Sequence, residues 1–262
     1  MKQNQIGATL IVVLIFLLAI TVIGTIAIRQ SMVGLNIATN SQVSQLVMQN
    51  SDAAFFNVEQ ADQLIQSLGA DGMFGYISGP NDKDKELVFC FRGDQTSFFD
   101  LSKASLMQWE GGKTAPTNNV LGTDGYCDAA DLSNNWFTSG RKAVMTQVAV
   151  KFSTTNQQDP FYDRQRGSDE KQGQIETAKR VKVFAVSLMP SLTNVDRADI
   201  NKCLKEHMSE LSIPDGTATP APPAGKAGTK DDATATVTQC LTSLNVPFTT
   251  QVSEYTITQN FS

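Results

Sequence analysis

The amino-terminal quarter of the chain combines one long apolar run with a helical repeat. Residues 8–28 carry no charge and consist mainly of Ile, Leu, Val and Phe, which matches the ~20 residues that a helix needs to cross hydrocarbon. Beyond Arg29, apolar residues recur at helical spacing as far as Leu68, and no proline interrupts before Pro80. The pattern predicts one continuous helix over about residues 8–68.

The outer half of this predicted helix, residues 29–68, has a polar but almost uncharged second face. Arg29 is the only charged residue between Lys2 and Asp52, and the face is otherwise rich in Asn and Gln. At 1.5 Å per residue the whole helix would be roughly 90 Å long, about three times the thickness of the hydrocarbon layer. About half of it must therefore pack on something outside a bilayer.

After Gly69 the hydrophobic pattern changes from helical to strand-like. Four runs rich in β-branched and aromatic residues, at 86–91, 143–152, 179–188 and 248–258, are separated by loops rich in Gly, Asp and Asn. Regular crossover helices between the runs are missing, which favours antiparallel pairing. The predicted fold class is α+β, in which an antiparallel sheet packs against the outer half of the long helix.

Composition and charge exclude several classes of protein. With 41% hydrophobic and 18% charged residues, the 262-residue chain can form a core and is not wholly disordered. Its net charge of −5 gives no overall positive charge to attract the phosphates of nucleic acid, although the sequence still allows a local basic patch. One histidine, His207, and four cysteines without a C-x-x-C pair are too few for an ordinary zinc site.

Other candidate chemistry is weak, and we predict no catalytic residue, cofactor or metal. The chain contains neither of the two glycine-rich motifs that bind phosphate groups, G-x-x-x-x-G-K-[ST] and G-x-G-x-x-G. His207 is interpreted as a packing or surface residue, and Asp124, Asp128 and Asp131 as an acidic turn, because they lack the spacing of a calcium loop. Arg164 and Arg166 form a small basic cluster that is the candidate contact for DNA or an anionic surface, although a solvated face explains it equally well.

The flanks of the apolar run predict its direction in a membrane. Lys2 and the α-amine stand before the run without an acid, so the positive-inside rule keeps the short end cytoplasmic and the remainder outside. A cleaved secretory signal peptide is the alternative, but the run exceeds the ~7–15 residues of such signals and no A-x-A-like site follows Arg29. We therefore expect a retained single-pass anchor.

The start of the chain has a recognisable arrangement. Residues 1–7 form a short basic leader that ends in Gly7, and the apolar run begins at once with Ala8. This resembles the class III signal of type IV pilins, and the run with Gly24 and Arg29 is similar to the PilX family of minor pilins. The resemblance covers residues 1 to about 50. It implies that a prepilin peptidase cuts between Gly7 and Ala8 and methylates the new amine.

The resemblance also implies a function and a set of partners. Members are structural subunits that help to prime and cap a type IV pilus at its tip, with roles in twitching, adhesion or DNA uptake. The implied partners are other minor pilins, the major pilin, the prepilin peptidase, a tip adhesin and the inner membrane. The helix at 8–28 would serve first as anchor and then as filament core, and residues 69–262 would form a periplasmic domain.

Val12 is the main departure from the pilin pattern. The fifth residue after the cut is usually glutamate, whose carboxylate could compensate the buried amine of a neighbouring subunit in an apolar bundle. The first subunit of a filament has no earlier neighbour, so we expect a tip or priming position. The same departure occurs in the K-type pseudopilins of type II secretion, which remain an alternative, although they usually carry a larger inserted helical domain.

The four cysteines predict disulfide bonds. Cys90, Cys127, Cys203 and Cys240 lie on the predicted non-cytoplasmic side, where disulfides form, and permit three pairings. We favour sequential pairing because it keeps each bridge local, as in the disulfide-bounded carboxyl-terminal region of many pilins.

Residues 214–236 are too polar and proline-rich to fold alone, so we expect a mobile loop. A tip-located binding module using Arg164 and Arg166 is the alternative from another class.

Overall fold

The computed structural model describes residues 6–79, 82, 84–93, 95–118, 120–131, 137–138, 142–152 and 179–257. The chain divides into two compact units, Met1–Gln45 and Leu46–Ser262. Helix α1, Ile6–Glu59, supplies the described part of the first unit and continues into the second. Its 54 residues correspond to a length of about 80 Å.

The long helix ends earlier than the periodicity predicts. Gln60 is extended, with ψ 127°, and a separate helix α2 follows at Ala61–Leu68. The prediction of one continuous helix to residue 68 is therefore wrong at this position. Neither proline nor glycine stands at the break, so the apolar spacing alone could not locate it.

A glycine-rich turn follows α2 and brings three apolar side chains into the core. The carbonyl of Ser67 accepts hydrogen bonds from the N–H groups of Phe74 and Gly75, at 2.8 and 3.1 Å. A Cβ on Gly75 would lie 1.9 Å from the Gly69 carbonyl oxygen, so the turn admits no side chain there. The turn buries Met73, Phe74 and Ile77.

The second unit contains a five-stranded sheet in the order β2-β1-β3-β4-β5, and every neighbouring pair is antiparallel. The strands are β1 Lys85–Phe91, β2 Ala104–Gln108, β3 Met145–Phe152, β4 Lys179–Leu188 and β5 Phe248–Ile257. The predicted antiparallel α+β class is confirmed. Strand β2 was not predicted, because Ala-Ser-Leu-Met-Gln is short and has no β-branched or aromatic residue.

The sheet is covered on both faces over its central strands. On one face, Ala54 and Val58 of α1 join a core with Phe89, Val148 and Val183. On the other face, a second cluster contains the side chains Val88, Met107, Trp109, Tyr126, Ala149, Phe184 and Met208. The second layer explains why β4 has an apolar Phe184 where strict alternation would place a polar residue.

Two short helices lie between β4 and β5 in the sequence. Helix α3 is Arg197–Glu206, and Asp196 caps it by accepting from the N–H of Ala198 at 3.0 Å. Helix α4 is Val237–Ser243, and Thr236 with Gln239 forms a reciprocal capping box at its start. Both helices bury their apolar side against a cluster that includes Met145 and Leu188 of the sheet.

Candidate functional site

The first unit carries an apolar surface that is exposed in the described part of the chain. Every large apolar side chain described from Leu10 to Ile37 is exposed, with exposed fractions between 48% and 68%. By length and composition, one helix in the described residues could cross a membrane, and it is α1. Val12 belongs to this surface, 51% exposed, and offers a partner no charge.

The polar groups of this segment are satisfied within the helix. The only hydroxyl side chains between Leu10 and Ile28 are those of Thr21 and Thr25. They donate to the carbonyls of Leu18 and Val22, each at 2.8 Å. Hydrocarbon supplies no hydrogen-bond partners, so a spanning helix must satisfy such groups itself. The segment meets that requirement.

The predicted processing bond joins Gly7 and Ala8 near the beginning of α1. The described backbone is helical from Ile6, while residues 1–5 lie outside the described part of the chain. Cleavage between Gly7 and Ala8 therefore stays a prediction.

The disulfides join Cys90 to Cys127 and Cys203 to Cys240, which are the sequential pairs favoured from the sequence. Their Cα atoms are 4.9 and 5.5 Å apart, within the usual range. All four cysteines belong to one buried cluster. The first bond ties β1 to the segment after Tyr126, and the second ties α3 to α4.

A buried glutamine connects the two disulfide-bonded regions. The side chain of Gln147, on β3, accepts from the N–H of Cys127 at 3.2 Å and donates to the carbonyl of Leu204 at 3.0 Å. Its exposed fraction is 2%. Because a buried amide needs both partners, the sheet fixes the position of α3 relative to the first disulfide.

The sheet buries two opposite charges, Glu86 on β1 and Lys151 on β3, that the sequence pattern did not indicate. Glu86 and Lys151 are 1% and 2% exposed. The Glu86 carboxylate accepts from the N–H of Ser209 at 2.8 Å, and Lys151 donates to the carbonyl of Glu210 at 3.0 Å. Burial raises the pKa of Glu86 and lowers the pKa of Lys151, while their mutual attraction opposes both shifts. No local signal distinguishes these residues from ordinary strand-end charges.

Asp128 of the predicted acidic turn accepts hydrogen bonds that connect this turn to α3. Its carboxylate accepts from Asn201 and Lys205 of α3 at 2.6 and 3.0 Å, and from the N–H groups of Ala130 and Asp131. Burial alone would raise the pKa of Asp128, but these donors together lower it. Among the described residues, no group of three or more His, Cys, Asp and Glu side chains is placed to hold a metal ion.

His207 is a buried packing residue that follows the last residue of α3. It is 3% exposed, and its Nδ1 lies 3.0 Å from the carbonyl oxygen of Ala235. Trp109 is 2% exposed and donates from Nε1 to the carbonyl of Lys113 at 2.9 Å. Neither residue is presented to a ligand.

The second half of the proline-rich segment lies against α3. Asp232 is 4% exposed and accepts from the N–H groups of Gly228 and Thr234. Lys230 is paired with Asp199 of α3, and Asp231 is paired with Lys202 of α3. Two ion pairs with α3 and the buried Asp232 thus place the part from Lys226 onward against α3, while the mobility expected for the loop over 214–236 stays a prediction.

The candidate contacts Arg164 and Arg166 lie outside the described residues. The binding-module alternative, which depends on the two arginines, stays a prediction.

The described chain is thus an α+β globular unit with two disulfides, joined to a helix long and apolar enough to span a membrane. No family model, no curated protein and no solved structure matches it.

Proposed function

We propose that this chain is a minor pilin of the PilX type that helps to prime assembly at the tip of a type IV pilus. The observation that carries the proposal is that the two parts of α1 have different surroundings. Its first part, in the unit Met1–Gln45, exposes a continuous apolar surface, while Val47, Ala54 and Val58 are buried in the second unit. Such a helix can exchange lipid for the helices of neighbouring subunits while its globular unit stays folded.

Val12 supports a priming position in this proposal. A subunit that docks onto an existing filament benefits from a carboxylate that compensates the amine of its neighbour. The first subunit has no such neighbour, and an uncompensated acid in an apolar bundle would be costly. A neutral, exposed side chain at this position suits the start of a filament.

The small size of the described helices favours a pilus over type II secretion. The helices of the second unit after α2 are α3 with 10 residues and α4 with 7. K-type pseudopilins usually carry a larger inserted helical domain. Under this proposal the protein is a structural subunit with a periplasmic globular unit, and its partners are other minor pilins, the major pilin, a prepilin peptidase and a tip adhesin.

Intact-mass spectrometry tests the processing step. We expect wild-type protein from membranes and from sheared pili to lack residues 1–7 and to carry one added methyl group. Gly7→Ala should retain the leader and stay in membranes, and Gly24→Ala, with open space around its Cα, is the matched control. An unprocessed wild-type chain found only in membranes would overturn the proposal.

Counting pili tests the priming role separately. We expect loss of the gene to reduce the number of pili per cell more than their length, because initiation and not elongation is affected. Val12→Glu should reduce the number in the same way, and Val12→Leu should not. Normal piliation with Val12→Glu would contradict the priming position, even if processing occurs as proposed.

A further inference from the structure

Strand β5, Phe248–Ile257, is an outer strand of the sheet. Among the described residues it pairs with β4 alone, so the backbone N–H and C=O groups on its other side have no strand partner in that part of the chain. At about 3.4 Å per residue, this open edge of β5 is about 34 Å long. A row of unpaired N–H and C=O groups is a ready template for another strand.

β5 lacks the features by which proteins usually block such an edge, which include Lys, Pro and β-bulges. The strand contains neither Lys nor Pro, and Glu254 is its only charged residue. Its pairing with β4 runs over all ten residues without a bulge. The other outer strand, β2, has only five residues, and the backbone of its Gln108 is paired with Thr117. A long open edge thus distinguishes β5 from β2.

The two faces of β5 have different surroundings. The side chains of Gln251 and Tyr255 hydrogen-bond to residues of α1, so these odd-numbered positions face the helix. Because side chains alternate along a strand, Val252, Glu254 and Thr256 point to the opposite face, and all three are exposed. With an exposed fraction of 53%, Val252 offers an added strand an apolar contact on that face.

Two carboxylates of α1 lie beside β5 on the face toward the helix. Asp52 accepts from Nε2 of Gln251 at 2.9 Å, and Glu59 accepts from the hydroxyl of Tyr255 at 3.0 Å. Both acids are exposed, and neither forms an ion pair with a Lys or Arg among the described residues. Gln251 and Tyr255 are four positions apart, so their side chains are about 14 Å apart along the strand. The helix therefore places two negative charges beside β5 at a defined spacing.

We propose that β5 binds an extended segment of another protein that carries Lys or Arg at two positions four residues apart. The segment adds to the sheet beside β5, and its backbone pairs with the N–H and C=O groups of the open edge. Residues i and i+4 of a strand lie on one face about 14 Å apart, so both cations can reach Asp52 and Glu59. On the opposite face, Glu254 already lies 3.9 Å from Arg180. There the segment contributes an apolar side chain that packs against Val252.

Peptide binding to the full chain in detergent micelles tests this inference. The probe is a fluorescently labelled nine-residue peptide of alternating threonine and valine in which lysine stands at the third and seventh positions. We expect saturable binding of one peptide per chain, measured by fluorescence anisotropy. Glutamate in place of both lysines should abolish binding. N-methylation of every inner backbone nitrogen should abolish it too, because the charges stay while the N–H donors are lost.

Asp52→Asn/Glu59→Gln removes both charges of the chain and keeps an acceptor for Gln251 and Tyr255. It should raise the dissociation constant of the lysine peptide about tenfold, since two exposed ion pairs contribute modestly. Glu110→Gln/Asp124→Asn is the matched control, because it removes two exposed carboxylates that lie outside α1 and β5. It should bind the peptide as the wild type does.

Absence of binding by the lysine peptide would overturn the inference. So would undiminished binding of the N-methylated peptide, or undiminished binding by Asp52→Asn/Glu59→Gln, because charge elsewhere would then suffice. If the chain alone sediments as a dimer that the peptide dissociates, the occupant is a second copy of this chain, and the inference fails as well. The peptide comparisons leave the chain unchanged, so they decide the matter even where a variant does not fold. Processing at Gly7 and piliation play no part in these measurements, whose outcome is therefore independent of the proposed function.

Discussion

The Oγ of Ser51, on α1, donates a hydrogen bond to the Oγ of Ser187, on β4, over 2.8 Å, and both side chains are fully buried. Ser187 in turn lies 2.9 Å from the hydroxyl of Thr146, which accepts from Thr138 at 2.7 Å. This chain of hydroxyl groups crosses from the helix through two strands to the loop before β3. It fixes the position of residues 46–59 of α1 on the sheet more specifically than apolar contacts do.

Ser187→Ala should destabilise the globular unit more than Ser51→Ala does. Loss of Ser51 removes one donor, at a cost of about 1 kcal/mol. Loss of Ser187 leaves both the Ser51 donor and Thr146 without this partner, at a cost of about 2–3 kcal/mol. Urea unfolding of the full chain in detergent micelles, followed by tryptophan fluorescence, measures both values.

Thr242→Ala is the control for this comparison, because its exposed hydroxyl only donates to the Thr238 carbonyl of its own helix. It should change the free energy of unfolding by less than about 0.5 kcal/mol. Equal losses for Ser51→Ala and Ser187→Ala would show that the hydroxyl groups do not act as a chain.

The buried pair Glu86 and Lys151 should behave as a coupled unit. Glu86→Gln leaves the Lys151 charge without its buried partner, and Lys151→Met leaves the Glu86 charge, so each should cost about 3 kcal/mol. The double variant buries neither charge and should lose at least 1 kcal/mol less than the sum of the two single losses. A double-mutant cycle of unfolding free energies measures this coupling.

Glu110→Gln and Lys113→Met form the matched cycle, because both residues are exposed. Their effects should be small and additive. Additive losses at Glu86 and Lys151 would mean that the carboxylate acts only by accepting from the N–H groups of Ser209 and Glu210, and not through the opposite charge.

The parts of the fold that follow a local repeat could be predicted from the sequence. Apolar runs at helical or alternating spacing predicted α1 and four strands, and the bounds 179–188 of β4 agree with the structure. The break at Gln60 and strand β2 could not be predicted, because neither has a breaker or a β-favouring composition. Their positions depend on packing between distant segments.

The interior polar contacts lie beyond sequence patterns for a related reason. Glu86 stands near a strand end that would normally be solvated, yet it is buried and accepts a hydrogen bond from the N–H of Ser209, which is distant in the sequence. Asp232 lies in a segment whose composition is typical of disorder. It is nevertheless in the interior, where its carboxylate accepts from the N–H groups of Gly228 and Thr234. Composition indicates how the isolated segment would be solvated, whereas in the folded chain a disulfide closes this segment and two ion pairs connect it to α3.

Asp128 should make stability depend on pH in the acid range. Its donors lower its pKa in the folded chain below the ordinary value of 3.8. The stabilisation is therefore complete above pH 3.8 and is lost as the pH falls through the lowered pKa. Asp128→Asn should cost about 2 kcal/mol at pH 7, and should lose less further stability than the wild type below pH 3.8.

Urea unfolding at a series of pH values between 7 and 2 tests this behaviour, with Asp124→Asn as the control. Asp124 is an exposed aspartate in the same segment, so its variant should follow the wild-type curve. The explanation fails if Asp128→Asn runs parallel to the wild type throughout the acid range.

The two disulfides should contribute similarly to global stability and differently to the proline-rich loop. Both join cysteines separated by 37 positions, so the chain-entropy model assigns each about 4 kcal/mol. Only the Cys203–Cys240 bond closes the loop that contains residues 214–236. Its removal frees one end of the loop, leaving ion pairs such as that of Lys230 with Asp199, which contribute little when partly exposed.

Limited trypsin digestion of the full chain under native conditions therefore separates the two bonds. Cys203→Ala/Cys240→Ala should be cut several-fold faster after Lys226 or Lys230 than the wild type. Cys90→Ala/Cys127→Ala, with a similar loss of unfolding free energy, should be cut there at the wild-type rate while it remains folded. Equal acceleration in both variants would mean that cleavage follows global unfolding, and that the second disulfide does not hold the loop on α3.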